Sequence, residues 1–401
     1  MIQIAILGFG VVGSGTAEVL MKNRSLIEKH CGKRIGIKYI LDLRDFPDHP
    51  LGDRVTHDFN VILNDPEVSV VAEMMGGSHP AYEFTKSALA AGKHVVTSNK
   101  EVVANYGAEL LDIARGKGVN YLFEASVGGG IPIIRPLRND FAPDDILSVS
   151  GILNGTTNYV LSKMKNEGAE FADALRQARE KGYAEADPTA DVEGLDAARK
   201  IVILSALSFG VLLPPSEIEV QGITGITKEQ VAVAESLGCA VKLIGHTERI
   251  GDKILALVGP HLVPAANPIH HVEGVFNGIL IHSDPLGQTF FYGAGAGKLP
   301  TAGAVVSDLL NATSTDTVLP VWKRAEPTDL ATSAERRVRR AFVLPGCAKC
   351  AERAKPVFGF EQYLMQDGGF AFLSKPMTGP EVDAALRELG KEPRWTLPVL
   401  D

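Results

Sequence analysis

The stretch "QIAILGFGVVGSGTAEVLMKNRSLIEK", residues 3–29, decides the first half of the fold. Its opening is apolar and too short for a buried helix, so it reads as a strand that ends in glycines. From Val11 to Lys29 the pattern reads as a helix. Gly8, Gly10 and Gly13 stand in G-x-G-x-x-G spacing between the two. In that context Gly8 permits the tight turn, Gly10 lets the backbone approach a pyrophosphate, and Gly13 permits close helix packing. The same glycines can mark an ordinary strand-to-helix turn, so the reading draws its force from the strand before and the helix after.

Working outward, further apolar strands are expected at "IGIKYILD" (35–42), "VSVVAEMM" (68–75), "KHVVTSN" (93–99) and "VNYLFEAS" (119–126). Helices are expected over Ala81 to Ala91 and Ala104 to Gly116. This alternation implies a parallel sheet wound on both faces, an α/β domain filling about the first 130 residues. The second strand ends where the ribose of a dinucleotide is read. Asp42 there suits the 2′-hydroxyl of NAD and Arg44 the 2′-phosphate of NADP, which leaves both coenzymes open.

After "VGGGIPIIRPL" (127–137) the pattern changes. A strand at "DILSVSGILNG" (145–155) precedes helices over Thr157 to Arg179 and Leu195 to Phe209. Strands at "KILALVGPHLV" (253–263) and "GVFNGILIHSD" (274–284) have no helix between them. That grouping suggests an α+β domain, a mixed sheet with helices on one face. The run "GAGAGKLPTAGAVVSDLLN" (293–311) reads as a glycine turn and a helix returning to the first domain. A short third region starts near Thr332 with the basic run "ERRVRR" (335–340) and ends at Asp401.

A chain of 401 residues with 45% hydrophobic content can bury more than one core. A net charge of -8 with both signs interspersed argues against a nucleic-acid partner. No apolar run approaches the roughly 20 residues of a membrane span, and the N-terminus carries no basic leader. Four cysteines form no disulfide framework, which fits a reducing, cytoplasmic setting.

Three local motifs bear chemistry. Lys100 lies just past the carboxyl end of a strand, where open α/β sheets bind ligands, although taken alone a surface lysine capping a loop is the simpler account. Glu124 stands beside three successive glycines, a loop that exposes backbone closely and suits a cation, a ligand or a hinge. Asp196 and Lys200 are four apart in a helix, the spacing of a surface ion pair. Yet the helix "LDAARKIVILSALSF" (195–209) leaves almost no solvated face, and Lys200 sits near its start, where the macrodipole disfavours a cation. A partly buried lysine beside a carboxylate is an acid/base candidate.

The run Ala178, Gly182, Asp187-Pro188, Asp191, Gly194, Asp196, Lys200 resembles the signature of the homoserine dehydrogenase family. So do "GFGVVG", "TSNK", "EASVGGGIPII", "GILNGTTNYVL" and "GAGAGKLPTAGAVVSD", in the family order over roughly residues 1–320. The resemblance implies a Rossmann-type doubly wound coenzyme domain over 1–131 and about 298–320. It implies a substrate and dimerisation domain over 132–297, and reversible NAD(P)H-dependent reduction of L-aspartate 4-semialdehyde to L-homoserine, on the route to threonine, methionine and isoleucine. It further implies Lys200 as the catalytic acid and Lys100 as a second active-site lysine. Gly182, Glu185, Asp191 and Asp196 would line the substrate site. Gly8, Phe9, Gly10, Val11, Val12, Gly13, Asp42, Arg44, Ser98, Lys100, Gly295 and Gly297 would meet the coenzyme. The loop of Glu124, Val127, Gly129 and Ile131 would bind a monovalent cation, sodium in most of the family. Pairing through the second sheet would make a homodimer.

Residues 332–401 look like a degenerate ACT-like unit. "GFAFLSKPMTGPEVDAALREL" suits its last strand and helix, but the aspartate-bearing turn is missing and the preceding helix reads as cut down. Cys347 and Cys350 form one C-x-x-C, half of a zinc site, and admit either a redox pair or two incidental thiols at a helix start. Against the enzyme stand a silent NAD(P)-binding regulator and a dehydrogenase for a related semialdehyde. A silent relative should have lost one of Lys100, Glu185, Asp196 or Lys200, and all four are present.

Overall fold

Ile2–Leu7 forms β1, and Ile4 to Leu7 are wholly buried. In this computed structural model, which describes residues Met1–Asp401, β1 is the centre of a six-stranded sheet. With β2 (Ile35–Leu41), β3 (Val55–Thr56), β4 (Val68–Glu73), β5 (His94–Thr97) and β6 (Tyr121–Leu122), the order is β3-β2-β1-β4-β5-β6, every pair parallel. Strands covered on both faces have no need to alternate, which is why they read as near-continuous Val and Ile. Each such fully buried side chain contributes about 1.5–3 kcal/mol. The order reverses between β1 and β4, the point at which doubly wound sheets open a ligand crevice.

Two compact units divide the chain: residues 1–145, 202–216 and 293–325, and residues 146–201, 217–292 and 326–401. In the first, helix Lys298–Asn311 packs on helix Val11–Lys22. The expected single helix from Val11 to Lys29 is in fact two, Val11–Lys22 and Arg24–Cys31, because Asn23 leaves helical geometry between them. The expected strand 119–126 is shorter, since Glu124–Ser126 turns into a 3-10 helix after Leu122. Helix Lys100–Lys117 begins four residues earlier than expected, because the Asn99 side chain caps the amides of Glu101 and Val102.

In the second unit the strands are β7 (Asp145–Ile152), β8 (Glu219–Val220), β9 (Cys239–Ile250), β10 (Lys253–Pro264), β11 (Phe276–Asp284) and β12 (Gly287–Ala294). Their order is β12-β11-β7-β9-β10-β8. The pairs β7/β9 and β9/β10 are antiparallel and β10/β8 is parallel, so the sheet is mixed. Helices Gly155–Glu167 and Phe171–Glu180 replace the expected single helix 157–179, since Gly168 turns left-handed between them. Helix Leu195–Phe209 has the expected ends.

The C-terminal residues form β13 (Arg340–Pro345), β14 (Leu364–Gln366), β15 (Gly369–Leu373) and β16 (Trp395–Pro398), an antiparallel sheet in the order β14-β15-β13-β16. With helices Ala348–Phe358 and Gly379–Leu389 this is a split β-α-β-β-α-β arrangement. Its first helix is not cut down: both have 11 residues. Phe342, Phe358, Phe370 and Phe372 are fully buried and stack among themselves at its core.

Candidate active site

The dinucleotide turn is built by steric exclusion. Gly8 has φ +85°, and a side chain there would meet the Met74 carbonyl oxygen at 2.9 Å. One at Gly13 would lie 2.0 Å from the Gly8 carbonyl oxygen, whereas nothing lies within 4 Å of the equivalent point on Gly10. The turn is therefore closed toward the sheet and open at Gly10, the geometry that backbone approach to a pyrophosphate requires. A cavity of about 500 Å³ adjoins it, lined by Gly8, Gly10, Asp42, Arg44, His57 and Met75 among others.

Asp42 and Arg44, read as rivals from the sequence, are partners. Asp42 accepts the Phe9 amide at 2.7 Å and the Arg44 guanidinium at 2.9 and 3.0 Å. The Arg44 amide adds a fourth bond at 3.0 Å. With Arg44 as the main cause, the Asp42 carboxyl is lowered to about 2. These four bonds match a carboxylate's capacity as an acceptor. Asp42 thus tethers the glycine turn, while Arg44, its side chain 63% exposed, faces solvent on the cavity wall. Phe9 is buried against Phe46 and His49, its amide taken by Asp42; Val11 is exposed and Val12 half-buried at the start of the helix.

Sequence reading missed the device that positions Lys100. Glu73, at the end of β4 and wholly buried, accepts from Thr97 Oγ1 at 2.6 Å and from the Met75 amide at 2.7 Å. Asn99 Nδ2 donates to it at 3.4 Å, and Asn99 Oδ1 caps the helix that begins at Lys100 by accepting the Glu101 and Val102 amides. Ser98 and Lys100 are half-buried in this corner, where the Ser98 amide bonds the Glu73 carbonyl. Burial raises the Glu73 carboxyl from 4.5 to about 7. Between those values the folded chain holds a proton that the unfolded chain has released, so this contribution to stability is full below about pH 4.5 and lost by about pH 7. Glu73→Gln, a mimic of the neutral acid, should match the parent at about pH 4 and exceed it by about 3 kcal/mol at about pH 8.5. Urea unfolding at both pH values checks this; equal pH sensitivity in the two proteins would assign the effect elsewhere.

Glu124 does not offer its side chain to a metal. Its carboxylate accepts the amides of Ile133, Ile134 and Arg135 at 2.7, 2.9 and 2.8 Å, and its own amide donates to Asp308 at 2.8 Å. Burial first, then the Glu124 charge, pushes the Asp308 carboxyl up to about 7. Gly129 has φ +57°, and a side chain there would strike the Gly295 carbonyl oxygen at 2.4 Å. The triple-glycine loop and the Gly295 turn are thus brought together, with Gly130 N–H bonding Ala294 O at 2.9 Å. Gly297, φ +117°, starts helix Lys298–Asn311. The carbonyls of Val127, Gly129 and Ile131 accept no hydrogen bond from a loop amide.

In the second unit Asp196 and Lys200 are no surface pair: each side chain is 9% exposed. Lys200 Nζ donates to Asp196 Oδ2 at 2.8 Å and to the Leu153 carbonyl at 2.7 Å. Asn154, inside the quoted "GILNGTTNYVL" but not singled out, organises the site. Its amide nitrogen donates to Asp196 Oδ2 at 3.0 Å and Asp191 Oδ1 at 2.7 Å, and its oxygen accepts the Thr157 amide. Burial raises the Asp191 carboxyl. Gly182 and Glu185 lie exposed on the following loop, outside this network, and Thr156 ties the loop down through the Tyr183 carbonyl at 2.6 Å.

A parallel sheet with a glycine turn at its switch point, together with a buried lysine–carboxylate pair, defines an oxidoreductase with a dinucleotide-binding domain. A family model described as homoserine dehydrogenase, NAD binding domain, matches residues 8–124, and one described as homoserine dehydrogenase matches residues 132–310. A homoserine dehydrogenase of Synechocystis is 44% identical over 317 residues, 77% of this chain and 73% of that one. The crystal structure of one from Thiobacillus denitrificans superposes with a TM-score of 0.89 at 34% identity, covering 100% of this chain and 98% of that one. A hyperthermophilic archaeal homoserine dehydrogenase in complex with NADPH matches at 28% identity and a TM-score of 0.68, over 79% of this chain and 99% of that one. This chain belongs to the homoserine dehydrogenase family. No helix in it is long and apolar enough to cross a membrane.

Proposed function

We propose that the chain interconverts L-aspartate 4-semialdehyde and L-homoserine with NADP or NAD, and that Lys200 is the acid/base. The buried Lys200–Asp196 pair, fixed by Asn154 and the Leu153 carbonyl, is the observation that carries this reading. When bound, the coenzyme supplies or accepts the hydride. As the aldehyde is reduced, negative charge grows on its oxygen, and Lys200 Nζ gives that oxygen a proton; in the reverse direction it takes the hydroxyl proton. Asp196 holds the ammonium in place. Asp191 and Asp196, bridged by Asn154, with Glu185 and Gly182 on the neighbouring loop, receive the substrate's amino-acid end. Lys100 is the second active-site lysine.

Residues 1–131 and about 298–320 take the coenzyme in this reading, and 132–297 the substrate and a second copy of the chain as a homodimer. Backbone carbonyls of Glu124, Val127, Gly129 and Ile131 suit a monovalent cation such as sodium, since the Glu124 carboxylate is spent on three amides and loop amides leave the other three carbonyls unengaged. Residues 332–401 are an ACT-like module, and the setting is cytoplasmic.

Arg44 reads the coenzyme phosphate and Asp42 holds the turn, because the arginine is the exposed member of the pair. Arg44→Ala should raise KM for NADP about tenfold or more and leave NAD within about threefold, as loss of one charge-assisted contact implies. Equal effects on both would remove Arg44 as a phosphate reader. The deciding experiment is homoserine-dependent reduction of NADP and of NAD by purified protein, in sodium, potassium and tetramethylammonium salts. Turnover supports the reading, and loss of turnover in tetramethylammonium supports the cation. Silence with both coenzymes in a protein that still binds one of them overturns it.

A further inference from the structure

The four cysteines fall into three environments. Cys239 is buried, and desolvation raises its thiol to about 11. Cys31 is exposed at the C-terminal end of helix Arg24–Cys31. Cys347 and Cys350 stand at the opposite kind of helix end. Cys347 is the exposed N-cap of the 11-residue helix Ala348–Phe358, and Cys350 is its half-buried third residue.

Their sulfurs face each other at 3.6 Å. Closing that gap to the ~2 Å of a disulfide needs no change of chain path, because both side chains already lie on the first turn. Gly346, φ +145°, leaves the approach open: a side chain there would begin 2.9 Å from Cys350 Sγ and 3.2 Å from Lys391 Nζ. A cation therefore stands beside the pair, and Lys391 is held there by the Pro345 carbonyl at 2.6 Å. The Cys350 and Lys349 amides and the Cys350 thiol lower the Cys347 thiol.

We propose that Cys347 and Cys350 are a redox-active dithiol that cycles to an intramolecular disulfide by exchange with small disulfides. The Cys347 thiolate attacks one sulfur of R–S–S–R, forming a mixed disulfide and releasing RS⁻. Cys350 gives its proton to solvent and attacks Cys347 Sγ, forming the ring and expelling the second RS⁻. Two protein thiols are oxidised, one disulfide is reduced to two thiols, and the thiolates take up the two protons. Cys347 is the attacking residue because it is the exposed one with amide donors, and Cys350 resolves.

The probe is oxidised glutathione, in buffers of varied reduced-to-oxidised ratio, on the full-length protein, with acid quench, mass measurement and peptide mapping. The expected product is 2 mass units lighter, with no retained glutathione, linked Cys347 to Cys350 and restored by reduced glutathione. Cys350→Ser should instead stop at one glutathione on Cys347. Iodoacetamide at pH 7 should label Cys347 at least tenfold faster than Cys31. A wild-type chain that keeps glutathione on Cys347 without closing the ring overturns the proposal. So does equal labelling of Cys31 and Cys347, and both readouts stand on the unmutated protein.

Discussion

Lys200→Ala is expected to lower kcat for homoserine oxidation about 10³-fold while the dissociation constants of NADP and NAD stay within about threefold. The magnitude follows from two things Lys200 does at the transition state shared by both directions: it exchanges a proton with the substrate oxygen in place, taking it in this direction, worth about 10²–10⁴, and it sets positive charge beside that oxygen. The selectivity follows from position. Lys200 bonds to Asp196 and Leu153, and Asn154 secures Asp196, all in the second unit, whereas the glycine turn and Asp42 belong to the first. Loss of both kcat and coenzyme binding would mean that the substitution disturbs the fold. Near-normal turnover would remove Lys200 as the acid/base. Lys200→Arg separates charge from proton: it keeps the cation but, always protonated, cannot take up the hydroxyl proton, and should remain at least about 10²-fold impaired.

The parts of this site that were legible in the sequence are those written locally. Gly8, Gly10 and Gly13 fix one turn, and the ends of helix Leu195–Phe209 follow from the Gly194 and Gly210 that bracket it. Asp196 and Lys200 needed only the four-residue period and the absence of a polar face. What escaped was long-range. Asn154 acts on partners 37 and 42 residues away, and Glu73 gathers Thr97 and Asn99 across β4 and β5. Asp42 and Arg44 were visible as residues but not as a pair, since a sequence shows two candidates for one job and not a hydrogen bond between them. Strand Cys239–Ile250 was also missed: it is buried on both faces over most of its length, so no alternation announces it. The broken helix at Asn23 carried no proline or glycine to mark the break.

Asp196→Ala separates the two duties of the buried pair, and its expected effects are large in both. The substitution leaves the Lys200 ammonium, 9% exposed, without its carboxylate partner. A buried charge stripped of its counter-ion costs about 3–5 kcal/mol, so the urea midpoint should fall accordingly. Adding Lys200→Met removes the stranded charge, and the double variant should regain most of that stability, because an apolar side chain of similar volume tolerates the site. Activity should follow the opposite pattern. Asp196→Ala should raise KM for homoserine about 10²-fold or more, as loss of one buried ionic contact to the substrate's amino group implies, and should also lower kcat through the disordered lysine. The double variant, though stable, should be as inactive as Lys200→Ala. Recovered stability without recovered turnover is therefore the signature of a pair kept for chemistry. If Asp196→Ala leaves both the urea midpoint and the homoserine KM unchanged, the pair is a structural ornament, and Asp191 with Asn154 must carry the substrate alone.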